Sequence, residues 1–120
     1  MEVKVKSYRA KKYIISTSPK VLIKKSQDIL ELLVVGGEYE TNLFILKEAN
    51  FDPAFYELKT GLAGEIIQKF SNYHVRAAIV GKFEKVNGKR FREFMLEANK
   101  GNQVYFTDNQ EDGLVWLTSK

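Results

Sequence analysis

The chain has 120 residues, 44% of them hydrophobic, a formal net charge of +4 and no cysteine. This composition excludes a disordered chain and gives enough apolar residues for one core, and without cysteine there are no disulfides, thiol nucleophiles or thiolate metal sites. No apolar run is as long as a membrane span and the start resembles no signal peptide, so we expect one cytoplasmic domain over residues 1–120.

The N-terminal part of the chain predicts a β-hairpin. Val3 and Val5 alternate with lysines, and a second apolar group over residues 13–15 follows a polar break, as in two paired strands. The turn between them contains neither glycine nor asparagine, and Pro19 ends the second strand because proline has no N–H to donate. Much of the basic excess lies here, at Lys4, Lys6, Arg9, Lys11, Lys12, Lys20, Lys24 and Lys25.

Two interpretations of this basic segment are open. It could bind nucleic acid or an acidic partner. Alternatively, its lysines are solvated and prevent the edge of the sheet from pairing with another edge. We favour the second interpretation, because the segment has almost none of the interleaved aromatic side chains that single-strand binders usually need.

A helix and a buried strand follow the hairpin. Ser26 is a suitable N-cap, residues 29–35 contain an apolar stripe, and Gly36-Gly37 is expected to end the helix. The apolar run over residues 42–46 is typical of an interior strand.

The next segments predict the second half of a βαβ unit. The connection over residues 47–59 is long, and Asp52-Pro53 indicates a turn within it. Residues 60–73 carry an apolar stripe at near-helical spacing, and the apolar run 75–81 ends in glycine like a strand buried on both faces. A helix followed directly by such a strand favours a parallel sheet.

Residues 89–99 predict a third helix, residues 104–106 a last strand and residues 109–117 a short final helix. The element order is therefore β-β-α-β-α-β-α-β-α. We predict an α/β fold in which about four helices pack on a mixed, mostly parallel sheet of about five strands.

Several strings in the chain resemble a bacterial family of uncharacterised domains. They are residues 60–70 (TGLAGEIIQKF), 72–73 (NY), 78–81 (AIVG), 92–94 (REF) and 97–101 (EANKG). The similarity covers nearly the whole chain, and the first string is the most specific. The resemblance implies a small bacterial cytoplasmic protein to which no reaction is assigned.

More distantly, the order of elements is similar to the STAS fold of anti-sigma-factor antagonists. In that family an Asp-Ser-Ser/Thr-Gly-Leu-Gly string opens the second helix, and residues 59–64 (KTGLAG) lie in its register. Phosphorylation of the hydroxyl that follows the aspartate switches those antagonists. Here Leu58 and Lys59 occupy these two positions and Thr60 is the neighbouring hydroxyl, so the resemblance implies a STAS-like topology without the usual phosphoacceptor.

The start of the second helix is the sharpest candidate for a binding site. Backbone amides at Thr60-Gly61 would face outward at a helix N-terminus, which favours anions. A structural interpretation is simpler: Thr60 caps the helix, and Gly61 and Gly64 let the helix approach the sheet. The expected partner- or ligand-binding residues are Asp52, Thr60, Gly61, Gly64, Glu65, Lys69, Asn72, Arg92 and Asn99.

Two further candidates have simpler structural explanations. His74, the single histidine, could be a general base or a pH sensor, but a histidine at a helix end usually caps it. Glu93 and Glu97 could act in acid–base chemistry or bind a hard metal, but the basic side chains around them indicate a solvated ion-pair face. We therefore predict no catalytic residue, metal or cofactor.

We expect a non-enzymatic regulatory or interaction module. It would dock a protein partner, or a second copy of itself, near Thr60-Gly61 and on the face of the second helix. The alternative is a protein that binds a small anionic ligand at the same helix N-terminus. Nucleic-acid binding by the basic hairpin is the least supported function, and we expect no association with a membrane.

Overall fold

The computed structural model describes residues 1–85 and 88–119. Within them the strands are β1 (Val3–Tyr8), β2 (Lys11–Ser16), β3 (Leu43–Lys47), β4 (Arg76–Val80) and β5 (Val104–Thr107). The α-helices are α1 (Ile29–Tyr39), α2 (Leu62–Asn72), α3 (Lys89–Asn99) and α4 (Gln110–Leu117). The predicted element order and the α/β fold class are confirmed.

The five strands form one mixed sheet in the order β1-β2-β3-β4-β5. β1 is antiparallel to β2, and all later neighbours are parallel. Each crossover moves one strand further in the same direction, and right-handed crossovers then place α1, α2 and α3 on the same face. Because the strand order does not reverse in the described chain, the sheet lacks the switch-point crevice at which many open α/β sheets bind ligands.

The interior strands β3 and β4 are buried on both faces of the sheet, whereas β1 is largely exposed. On β3, Phe44 and Leu46 pack in the core beneath α1, α2 and α3, whereas Leu43 and Ile45 pack in a smaller core beneath α4. This alternation follows from the two-residue period of a strand and explains why β3 is a continuous apolar run.

The first hairpin is closed by a two-residue turn at Arg9-Ala10, whose φ angles are 52° and 65°. Two positive φ values are the signature of a type I′ turn, which matches the twist of the paired strands. Asparagine and glycine are the residues that usually supply it, so their absence hid the turn from the sequence pattern.

The prediction that Gly36-Gly37 ends the first helix was wrong. α1 continues through both glycines to Tyr39 and ends at Glu40, which has a φ of 57°. Gly36 is buried, and a Cβ built on it would lie 2.6 Å from the carbonyl oxygen of Thr41. This glycine therefore allows a close contact between the helix and the loop that follows it.

Candidate functional site

The Thr60 hydroxyl forms hydrogen bonds mainly within the connection between β3 and α2, to which Thr60 itself belongs. Its hydroxyl lies 2.7 Å from the carbonyl oxygen of Ala54 and 2.9 Å from that of Glu57, and it accepts a hydrogen bond of 3.2 Å from the N–H of Leu62. Asp52 acts in the same way, because its carboxylate accepts a 2.9 Å bond from the N–H of Ala54. Both side chains thus hold the turns that lead from β3 to α2.

The two glycines at the start of α2 differ in their roles. Gly61, and not Thr60, is the N-cap residue, and its φ of 78° is a conformation that favours glycine. Gly64 is exposed, and a Cβ built on it would meet no described atom within 4 Å. The prediction that Gly61 and Gly64 let the helix approach the sheet was therefore wrong, since neither glycine makes a close contact.

The α2 face (Glu65, Lys69 and Asn72) lies along the outside of the helix. The ammonium of Lys69 is 5.8 Å from the ring centroid of Tyr73, and the side-chain amide of Gln68 donates a 2.9 Å hydrogen bond to Asn72. Glu65 is exposed. The face is polar, with Lys69 half-exposed and Asn72 exposed, and Tyr73 beside it lines a groove together with residues of α1.

Asn99 closes the outer edge of β5. Its side-chain oxygen accepts a 2.7 Å bond from the N–H of Phe106, and its side-chain nitrogen donates a 2.9 Å bond to the carbonyl of the same residue. The amide thus occupies the place of a neighbouring strand, and both of its polar atoms have structural partners. Arg92, also on α3, is exposed and lines an open groove of about 700 Å³ between α3 and β5.

Asn50, which the sequence did not single out, joins two loops at the carboxyl end of the sheet. It is fully buried. Its side-chain nitrogen donates to the carbonyls of Ser18 (3.0 Å) and Lys20 (2.8 Å), and its side-chain oxygen accepts from the N–H of Lys47 (2.8 Å). The segment after β2 is therefore held against the segment after β3.

Tyr56 and Glu48 complete this end of the sheet. The hydroxyl of Tyr56 donates a 2.7 Å bond to the carbonyl of Glu48, and burial, followed by the charge of Glu48, raises the pKa of the phenol. The Glu48 carboxylate accepts a 2.9 Å bond from the N–H of Lys82. A Cβ at Gly81 would collide with the Glu48 side chain, so the carboxylate packs directly on the β4 backbone.

The outer side of α1 presents an apolar strip that we call the α1 stripe (Leu30, Leu33, Val34 and Gly37). Val34 is 70% exposed and Leu30 is 49% exposed, and the four residues follow the helical spacing that puts them on one side. Leu33 and Gly37 also line a groove of about 360 Å³ that reaches Tyr73 at the end of α2. The sequence analysis missed this surface because α1 is apolar on nearly all sides, which is typical of a buried helix.

A family model described as "Domain of unknown function (DUF4180)" matches residues 8–117. The chain belongs to the DUF4180 family. The match runs from the end of β1 to the end of α4, and the predicted membership of an uncharacterised domain family is confirmed. No curated protein and no solved structure matches the chain, and the STAS-like topology stays a prediction.

The predicted site residues of this DUF4180 domain fall into three groups. Asp52, Thr60 and Gly61 form the turns before α2. Glu65, Lys69 and Asn72 share the exposed α2 face, which Gly64 precedes by one residue. Arg92 and Asn99 both lie on α3, and the Asn99 amide bonds β5. The structure therefore does not gather these polar side chains into one cluster.

The remaining candidates have structural partners or solvent around them. His74 follows α2 with a φ of 57°, and its carbonyl accepts a 2.6 Å bond from the Asn42 amide. Glu97 forms an exposed ion pair of 3.2 Å with Lys100. Among the described residues of the DUF4180 domain, there is no cluster of acidic, histidine or cysteine side chains suited to a metal, and no helix could cross a membrane.

Arg76 anchors the end of α4 in the DUF4180 domain. Its guanidinium donates to the carbonyls of Asn102 (2.8 Å), Leu117 (2.7 Å) and Trp116 (3.2 Å). It also lies 4.3 Å from the ring centroid of Trp116, which stacks on Tyr105 at 5.3 Å. Burial lowers the pKa of Arg76, and a cation at a helix C-terminus is favourable.

Proposed function

We propose that the protein is a non-enzymatic cytoplasmic module that regulates a partner protein by binding it through the α1 stripe and the adjoining end of α2. The observation that carries this proposal is the exposure of Val34 and Leu30 on one side of a helix. A contiguous apolar strip of this kind loses contact with water when another chain covers it, which favours association.

The charges around the α1 stripe favour a partner helix with an apolar stripe and basic flanks. Glu31, Glu38 and Glu40 are all exposed, so this face is acidic although the whole chain has a net charge of +4. Basic side chains beside the apolar contact would attract these carboxylates and speed the encounter.

A second copy of the chain fits this surface less well. In an antiparallel pair of α1 helices centred on Val34, Glu31 of one copy would lie near Glu38 of the other, since these residues are three and four positions from the centre. Like charges placed side by side on helices are destabilising. The acidic face therefore favours a different, basic partner.

The proposed surface overlaps with part of the site expected from the sequence. Lys69 contacts Tyr73, which lines the same groove as Leu33 and Gly37, so the end of the α2 face continues into the α1 stripe. Asp52 and Thr60 are bonded to the main chain of their own connection and support the fold of that loop. The proposal accordingly moves the docking surface from the tip of α2 to its far end.

The test compares three forms of the full chain as baits for cross-linked partners in the source cell: wild type, Leu30→Ser with Val34→Ser, and Leu96→Ser. Leu96 is a matched control because it is 65% exposed but lies on α3. We expect a specific partner with a basic amphipathic helix to bind wild type and the Leu96 variant and to be lost from the stripe variant. Equal capture by all three baits would contradict the proposal.

Sedimentation of the purified chain tests the identity of the partner. We expect a monomer at micromolar concentration. A dimer that the Leu30→Ser and Val34→Ser changes dissociate would show that a second copy, and not a basic helix, covers the α1 stripe. Thermal unfolding of each variant checks that these exposed substitutions leave the fold intact.

A further inference from the structure

We propose that the open edge of β1 binds an extended acidic segment of another protein as an added strand, through the outward main chain of Val3, Val5 and Ser7 and the charges of Lys4 and Lys6. This surface is separate from the α1 stripe, and the argument does not depend on the function proposed above.

The outward main-chain groups follow from the register of the hairpin. Val3 is opposite Ser16, and the N–H of Thr17 donates a 3.0 Å bond to the carbonyl of Glu2. Hydrogen-bonded pairs alternate along an antiparallel ladder, so Lys4 and Lys6 pair with β2 while Val3, Val5 and Ser7 point their N–H and C=O groups away from it. Among the described strands, β1 pairs with β2 alone.

The opposite edge of the sheet is closed in a way that β1 is not. At β5, the Asn99 amide bonds both main-chain groups of Phe106. At β1, exposed lysines protect the edge strand, because charged side chains commonly prevent one sheet edge from pairing with another. The lysines repel a second copy of β1, but they attract a strand that carries carboxylates.

The two faces of β1 define the side chains that such a strand needs. Val5 is 36% exposed and lies on the same face as Val3, whereas Lys4 and Lys6 lie on the face of Tyr8, whose hydroxyl bonds Glu111 of α4 at 2.7 Å. An added strand would place its side chains beside these residues on each face. The segment that fits therefore alternates acidic residues, beside the lysines, with apolar residues, beside the valines.

The first test measures the fluorescence anisotropy of a short labelled peptide of alternating glutamate and valine, titrated with the full chain. A peptide of alternating lysine and valine has the same strand propensity and the opposite charge. We expect the acidic peptide to bind and the basic peptide to bind at least about tenfold more weakly. The combined Lys4→Glu and Lys6→Glu changes should exchange this preference. An unchanged preference in that variant would overturn the proposal.

A second test separates strand addition from simple charge attraction. Val5→Pro removes an outward N–H without removing a bond to β2, and Val5→Thr is the matched control that keeps it. We expect the proline variant to lose peptide binding and the threonine variant to retain it.

An acidic peptide N-methylated at every residue gives the same information without changing the protein. We expect it not to bind, because methylation removes the N–H groups that form the ladder. Binding of this peptide equal to that of the unmethylated one would overturn the proposal. The Leu30→Ser and Val34→Ser variant should bind the acidic peptide like wild type, which distinguishes this surface from the α1 stripe.

Discussion

Replacing Asn50 by alanine should separate the two loops that its amide joins. The substitution removes the fully buried Asn50 amide, which bonds the N–H of Lys47 and the carbonyls of Ser18 and Lys20. Three hydrogen bonds at about 1 kcal/mol each give a loss of about 3 kcal/mol in the free energy of unfolding. For a chain of this size the same loss lowers Tm by about 12 °C.

Asn50→Asp is a sharper version of this test because it keeps the shape. The introduced carboxylate can accept from Lys47, but it faces the carbonyls of Ser18 and Lys20 with an oxygen. Burial and these carbonyls should raise the pKa of the carboxyl in the folded state above its unfolded value. The Asn50→Asp variant is then most stable below the pKa that this carboxyl has in the unfolded state, and its free energy of unfolding falls as the pH rises. The deficit of this variant relative to wild type should therefore shrink as the pH is lowered from pH 7 to pH 4.

Urea unfolding followed by tryptophan fluorescence and far-UV circular dichroism measures both variants. Asn72→Ala is the control, since its exposed amide bonds only Gln68 among the described contacts, and it should cost less than about 0.5 kcal/mol. A loss below about 1 kcal/mol for Asn50→Ala would refute the reasoning, because the amide would then not be holding the loops together.

Three other variants test separate contacts by the same unfolding assay. Arg76→Lys should cost about 2 kcal/mol and shift the emission of Trp116, because lysine cannot make three main-chain bonds while stacking on the indole. Arg9→Asn with Ala10→Gly should stabilise by about 1 kcal/mol, because both residues have positive φ. Tyr56→Phe should flatten the loss of stability above pH 10, since burial raises the pKa of that phenol above 10.0 and the folded state keeps a proton that the unfolded state releases.

Local patterns were sufficient for most of the secondary structure. The third helix was predicted over residues 89–99, and α3 has these bounds, because its stripe is flanked by glycines at both ends. Gly36-Gly37 misled the prediction, since Gly36 serves a contact with Thr41 that no local pattern encodes. Thr60 and Gly61 were recognised as important for the start of α2, but the N-cap role was assigned to Thr60, one residue too early, and Gly61 was wrongly expected to make a close contact with the sheet.

The polar contacts and the exposed surface were harder to predict than the elements. The amide of Asn50 bonds residues 30 and 32 positions earlier in the chain, so its neighbours in the sequence give no sign of its role. Asn99 was recognised as a polar residue of interest, but its two bonds to Phe106 depend on how α3 crosses β5. The α1 stripe has the composition of a core helix, and only the packing shows which side stays in water.

The unbroken strand order has a consequence for the way the chain is built. Each strand pairs with the one synthesised just before it, so the sheet can grow outward while the protein leaves the ribosome. Only α4 must return across β3, β4 and β5 to cover the opposite face. Until it docks, Tyr13, Ile45 and Ala78 remain open to water, so the docking of α4 is the step that seals the second side of the sheet.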